Sequence, residues 1–197
     1  MTWCSGLEAF CRADVPLRDF TWYQLGGPAR WFVTPRDAAE LRLALNRLRD
    51  AGVAWRVLGR GANVLVRDTG FDGAVIHLSS EHFARVQYEG ESLLAGAGAD
   101  FTKLVKQTCN RGLGGLESLA GIPGLLGGIV RMNAGGKYGD VSQVVREVEI
   151  MDATGEMRVL PKSEVQFEYR RTNLAGQIVI GARLDLHERN PAELVER

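Results

Sequence analysis

The chain has 197 residues, enough for one large domain or two small ones sharing a core. Lys plus Arg and Asp plus Glu number 24 each and the basic residues form no block, so no net field favours nucleic acid or an anionic membrane. The first residues carry acids and no long apolar core, and the most apolar stretch, 113–130, is broken by Pro123 and several glycines; neither a secretory signal nor a membrane-spanning helix is expected.

In chain order, a short strand around 31–33 comes first. Thr34-Pro35-Arg36-Asp37 then reads as a helix opening, with Thr34 as cap and Pro35 at the first helical position. Ala38, Leu41, Leu45 and Leu48 follow at helical spacing, and Gly52 supplies the stop. A strand over 53–58, a glycine turn at Gly59-Arg60-Gly61 and a second strand over 63–67 follow. Phe71-Asp72-Gly73 turns into a third strand over 74–78. Strands at 84–88 and 92–96 flank the turn Glu89-Gly90-Glu91. Asp100 caps a helix presenting Phe101, Leu104, Val105 and Thr108 on one face, closed by Gly112. Strands at 144–151 and 157–160 are joined by the turn at 152–155, and a last strand runs over 178–186. The pattern predicts an α+β fold of two subdomains, 1–80 and 81–190. Residues 191–197 read as the opening turns of a helix too short to stand alone, either a frayed tail or the lead into further chain.

Glycine supplies 24 of the 197 residues, well above the usual ~7%. Ten of them fall between Gly112 and Gly139, a local excess that marks backbone with positive φ or a close neighbour. Three segments are candidates for chemistry. In the first, Gly59, Arg60, Gly61, Ala62 and Asn63 could converge backbone amides on a pyrophosphate; a plain hairpin turn is the alternative. The loop lacks the GxGxxG form and runs into a strand, so it is not a Rossmann site. In the second, Gly121, Ile122, Pro123, Gly124, Gly127 and Gly128 lead to Asn133, Gly135 and Tyr138. Glycine alternating here with Ile, Leu, Val and Met suits a buried cofactor contact rather than a polar, Ser-rich linker. In the third, Phe167-Glu168-Tyr169-Arg170-Arg171-Thr172-Asn173, paired arginines suit a carboxylate or phosphate, solvated surface arginines being the alternative. Cys4, Cys11 and Cys109 read as reduced thiols of a cytoplasmic protein. His77, His82 and His187 make no ligand cluster, so no structural metal is expected.

Taken in order, LGRGANVLVRD with FDGAVIHL, LAGIPGLLGGIVRMNAGGKYGD and FEYRRTN resemble the signature segments of the UDP-N-acetylmuramate dehydrogenase (UDP-N-acetylenolpyruvoylglucosamine reductase) family. TWYQLGGPA upstream is similar to that family's opening motif. The resemblance implies a two-subdomain flavin-binding fold of the vanillyl-alcohol oxidase type, with FAD as cofactor and NADPH as reductant. It further implies reduction of UDP-N-acetylglucosamine enolpyruvate to UDP-N-acetylmuramate, a UDP-sugar substrate in peptidoglycan precursor synthesis. The loop from Gly59 to Asn63 would hold the pyrophosphate, and the segment from Gly121 to Gly128, with Asn133 and Gly135, would line the flavin and adenine sides. Arg170 would bind the substrate carboxylate and stabilise the charge that develops on reduction. Arg60 and Ala62 depart from the family's Gly-Gly-Ser-Asn loop, and Thr172 stands where Ser is usual. The family's third domain, with its proton-donating serine and most UDP-sugar contacts, has no counterpart in this sequence. That leaves a second expectation, a non-catalytic flavin-binding module. An oxidase with covalent flavin is disfavoured by Ala62 and Asn63, where such proteins carry a histidine. Nothing in the composition sets an oligomeric state.

Overall fold

The computed structural model describes residues 3–195. Its first sheet is built from β1 (Cys11–Pro16), β2 (Pro28–Val33), β3 (Trp55–Val57) and β4 (Phe71–Ile76), with α1 (Ala38–Asp50) between β2 and β3. The order across the sheet is β1-β2-β4-β3; β1 runs antiparallel to β2, while β2, β4 and β3 are parallel. Asp37, not Thr34, caps α1: its carboxylate accepts from the Glu40 amide at 2.9 Å. Glu40 in turn accepts from the Arg36 amide at 2.7 Å, so the reciprocal capping pair lies later than Thr-Pro suggests. The helix buries Leu41, Ala44, Leu45 and Leu48.

The second sheet contains β5 (Val86–Glu89), β6 (Ser92–Gly96), β7 (Val145–Met151), β8 (Met157–Pro161) and β11 (Ile178–Asp185), in the order β8-β7-β11-β6-β5, antiparallel throughout. Between β6 and β7 lie α2 (Phe101–Asn110) and a short α3 (Leu126–Arg131). β9 (Phe167–Glu168) and β10 (Arg171–Thr172) form a small hairpin before β11, and α4 (Pro191–Val195) follows. Residues 196 and 197 of the expected terminal helix lie outside the described residues. Asp100 caps α2 through the Lys103 amide at 3.0 Å, and Gly112 takes φ +71° beyond its end.

Alternation along the first sheet sends its side chains to two cores. Val33, Ala74 and Ile76 join a large cluster that continues through α1, α2, α3 and the second sheet. Phe32 and Val75, on the opposite face, pack with Val15, Leu17, Ala29 and Leu58 in a smaller one.

Two departures from the sequence reading matter for the site. The strand expected over 63–67 does not form. β3 and β4 are parallel, so the glycine turn at 59–61 is no hairpin; residues 58–70 make an ordered loop docked on the 20–28 segment. The Trp22 amide donates to the Gly61 carbonyl at 3.2 Å and the Gly27 amide to the Arg67 carbonyl at 2.9 Å. A Cβ on Gly27 would stand 2.0 Å from the Asp68 carbonyl oxygen, so only glycine permits this contact. The apolar run Val64-Leu65 therefore stays exposed, with no ladder to join. The second departure is α3, a helix inside the glycine-rich segment. Two adjacent glycines each cost about 1 kcal/mol in a helix. Packing compensates: Leu126, Ile129 and Val130 are buried, and the Leu126 and Gly127 amides donate to the Ala99 and Ala97 carbonyls, both at 2.9 Å.

Candidate functional site

A cleft of about 670 Å³ opens between the edge strand of the first sheet and the start of β11. Residues 52–59 line one side and 175–179 the other, with Leu78, Ala97, Leu125, Gly127, Gly128 and Arg131 completing it. Its size lies within the roughly 300–1,000 Å³ typical of small-molecule and cofactor sites. The 59–63 loop stands beside the α3 segment. Arg60 pairs with the α2 cap Asp100 at 2.7 Å, Asp100 forms a β-bridge with Leu125, and a Cβ on Gly59 would meet Leu125 at 3.8 Å. Leu58, just before the loop, is held at both polar groups. Its amide donates to Ile76 at 2.9 Å, and its carbonyl lies 2.8 Å from Nδ1 of His77. A carbonyl can only accept, so the proton sits on Nδ1.

The structure brings some of the expected site residues to the cleft and places others around it. Gly59, Gly127 and Gly128 line it directly. Gly61 (φ +64°) is buried; a Cβ there would strike the Phe20 carbonyl oxygen at 2.3 Å, so its glycine serves loop docking. Ala62 is half-buried and Asn63 exposed. Gly121 (φ +83°) and Pro123 are exposed, Ile122 packs on the core, and the Gly124 carbonyl accepts from the Phe101 amide at 3.1 Å. Asn133, 5% exposed and at φ +41°, spends both polar groups internally. Its Nδ2 donates to the Glu168 carbonyl at 3.0 Å and its Oδ1 accepts from the Ser142 amide at 3.3 Å. Gly135 pairs with Asp140 in a two-residue ladder. Tyr138 lines a separate hollow with Glu117, Ser118 and Ala120.

Arg170 occupies the second turn position of the β9–β10 hairpin at φ +59°, exposed, its guanidinium 5.3 Å from the Tyr169 ring. A non-glycine residue in the left-handed region costs about 1–2 kcal/mol. The hairpin is tied to the cleft by two anchors: the Asn133 amide already described, and Thr172, whose hydroxyl donates to the Arg131 carbonyl at 2.9 Å. Arg131 itself lines the cleft and returns a contact to Thr172 Oγ1 at 3.3 Å.

Trp55, Arg131 and Gln177 are among the cleft residues that escaped the sequence reading. A basic residue one turn beyond a Gly-Gly pair was a signal for Arg131. Nothing local distinguishes Gln177. Among the described residues no group of three or more His, Cys, Asp or Glu could hold a metal, and no helix is long and apolar enough to cross a membrane.

An FAD binding domain family model matches residues 29–160, two-thirds of the chain and the whole region that forms the cleft up to Arg131. The chain belongs to the FAD-binding domain family. The cleft fits the cofactor on two independent counts. Gly128 is helical and exposed, yet a Cβ there would meet nothing within 4 Å, so no protein neighbour explains its glycine and the space above it is open to a ligand. Gln177, on the facing side, carries a buried Oε1 with no hydrogen-bond partner. The UDP-N-acetylenolpyruvoylglucosamine reductase of Rhodopirellula baltica is 39% identical over 186 residues, covering 94% of this chain and 61% of its own length. The crystal structure of UDP-N-acetylenolpyruvylglucosamine reductase from Thermus caldophilus superposes with a TM-score of 0.82 at 37% identity, over 95% of this chain and 66% of that one. The chain thus spans about three-fifths of the length of the curated relatives it matches. A BBE-like protein of Physcomitrella patens shares the fold alone, with a TM-score of 0.66, 19% identity and coverage of 95% of this chain and 45% of that one. The fold is the α+β, two-subdomain flavin-binding type of the vanillyl-alcohol oxidase family, and the cofactor is FAD.

Proposed function

We propose that this chain is the FAD-binding part of a cytoplasmic reductase that uses NADPH to convert UDP-N-acetylglucosamine enolpyruvate to UDP-N-acetylmuramate for peptidoglycan synthesis. In this reading residues 1–80 and 81–190 are the two FAD-binding subdomains, and 191–197 lead toward the domain that contacts the UDP-sugar. Bound FAD would carry two electrons from NADPH to the enolpyruvyl double bond.

The chain's own residues have distinct tasks. The amides of Gly59, Arg60, Gly61, Ala62 and Asn63 hold the pyrophosphate. The segment with Gly121, Ile122, Pro123, Gly124, Gly127 and Gly128 runs along the cofactor, and the bare Cα of Gly128 lets the cofactor lie against it. Asn133, Gly135 and Tyr138 border the flavin end, Asn133 by fixing the hairpin. Arg170 is the catalytic residue. Its guanidinium binds the substrate carboxylate and meets the negative charge that builds up there during reduction, where such donors are worth about 10²–10³ in rate.

The observation that carries this reading is the Arg170 hairpin. An exposed arginine is held in left-handed backbone on a turn anchored, through Thr172 and Arg131, to the wall of the flavin cleft. The test is NADPH oxidation by the flavin-loaded protein, with and without the enolpyruvyl UDP-sugar. Arg170→Ala should keep the flavin spectrum and lose substrate-dependent oxidation. Unchanged turnover in that variant, or loss of its flavin, would overturn the assignment. A flavin-binding module without this activity is the second reading. It gives a yellow protein that never oxidises NADPH in response to the UDP-sugar.

A further inference from the structure

Gln177 is the one cleft-lining residue, among those described, whose side chain carries a buried polar atom with no partner. It follows a turn in which its own amide donates to the Leu174 carbonyl at 3.2 Å, so its backbone is fixed while its carboxamide is not. A buried unpaired carbonyl oxygen is unfavourable by about 1–3 kcal/mol. The terminal torsion of glutamine is soft and broadly distributed, so the amide can turn into the cleft once a donor is there to meet it.

The position of Gln177 indicates which donor that is. With pyrophosphate on the 59–63 loop, β3 leads away from it, and Trp55 lies about 13 Å along the extended chain from Gly59. That is the reach of an adenosine moiety from its phosphate. This end of the cleft is lined by Val53, Trp55, Ile178 and Val179, flat and apolar surroundings suited to a purine. A glutamine amide matches adenine in particular: its oxygen accepts from the exocyclic N6 amine while its NH₂ donates to N7. The reacting flavin ring has to remain accessible to substrate on the Arg170 side, which leaves the Gln177 side to adenine.

We infer that Gln177 reads the adenine edge of FAD and makes the cleft selective for the dinucleotide. The inference rests on the reading of this cleft as the FAD site. The residue positions and selects the cofactor and takes no part in the reaction.

The test compares three ligands by flavin fluorescence: FAD, the flavin dinucleotide carrying hypoxanthine in place of adenine, and FMN. Hypoxanthine has a carbonyl where adenine has its N6 amine, so the paired donor is gone. The wild-type protein should prefer FAD over the hypoxanthine analogue by roughly 10- to 100-fold. Gln177→Leu should remove most of that preference, leave FMN binding unchanged, and not lower the unfolding midpoint of the flavin-free protein, since it deletes an unpaired oxygen. Gln177→Glu should also weaken FAD binding, because a carboxylate faces the N7 lone pair with no donor. An FAD-to-hypoxanthine ratio unaltered in Gln177→Leu would overturn the inference while leaving the cleft as the FAD site. Weakened FMN binding would overturn it too, by placing the flavin ring against Gln177. Failure of every flavin to bind the wild-type protein would remove the cleft reading itself.

Discussion

Gly127 and Gly128 are neighbours in one helix, yet a methyl group added at each should push the flavin-free protein in opposite directions. At Gly128 the new Cβ meets nothing within 4 Å and the backbone is already helical. Glycine to alanine in a helix interior is worth about 0.5–1 kcal/mol. Flavin-free Gly128→Ala should therefore unfold roughly 1–4 °C higher, at about 2–4 °C per kcal/mol for a chain of this size. The same methyl enters the space a flat cofactor needs. Overpacking of that kind costs about 1–3 kcal/mol, so Kd for FAD should rise roughly 5- to 150-fold. At Gly127 the Cβ would stand 2.8 Å from Ala97 Cβ and 3.3 Å from the Ala97 carbonyl oxygen. There the helical gain is offset by about 1–3 kcal/mol of forced displacement, and the flavin-free midpoint should fall. Thermal unfolding followed by tryptophan fluorescence, paired with FAD titration, separates the two effects. A Gly128→Ala protein that is less stable without flavin, or that binds FAD as tightly as the wild type, would refute the argument that this open space belongs to the ligand.

Other perturbations test the frame around the cleft. Asn133→Ala removes the donor to Glu168 and the acceptor for Ser142 and puts alanine at φ +41°; it should lower stability by about 2–3 kcal/mol, read as a drop in unfolding midpoint. Arg170→Gly relieves left-handed backbone, so stability should hold or rise by up to about 1 kcal/mol while substrate-dependent NADPH oxidation is lost. A fall in both would make the arginine structural. Burial, with the neighbouring Cys4 second, pushes the Cys11 thiol from its usual value near 9 up to about 12. An unfolded thiol releases its proton near pH 9 while the folded one keeps it, so this contribution is intact below pH 9 and is lost progressively as pH rises toward 12. Cys11→Val should flatten the alkaline limb of a stability–pH curve, and native Cys11 should resist thiol reagents at pH 8.

Much of the scaffold is legible in local sequence because it depends on local chemistry. The Leu41-Leu45-Leu48 stripe of α1, the Asp100 cap of α2 and the turn at 152–155 all follow from residue spacing and capping groups within a few positions. The motifs that match the family lie in order along the chain, and they are enough to point to FAD and to the two glycine segments. What misled was also local. Val64 and Leu65 carry strand-forming side chains, but strand propensity has no effect without an edge to pair with, and docking against Gly27 claims that backbone instead. α3 is the converse: Gly-Gly argues against a helix, and burial of Leu126, Ile129 and Val130 overrides it.

The sequence by itself determined which stretches of backbone stay bare of side chains, because glycine and capping residues act on their own neighbourhood, while the cofactor came from the resemblance of its ordered motifs to a known family. Only the tertiary structure decided which glycines face open space and which face the protein. Gly61 and Gly127 give way to Phe20 and Ala97, whereas Gly128 gives way to empty space. It alone also set Arg131 and Gln177 in the cleft and spent one polar group of Asn133 on the Arg170 hairpin and the other on the Ser142 amide. The physical reason is the same in each case. Whether a polar or absent side chain is structural or functional depends on what stands opposite it, and that partner comes from parts of the chain far away in sequence.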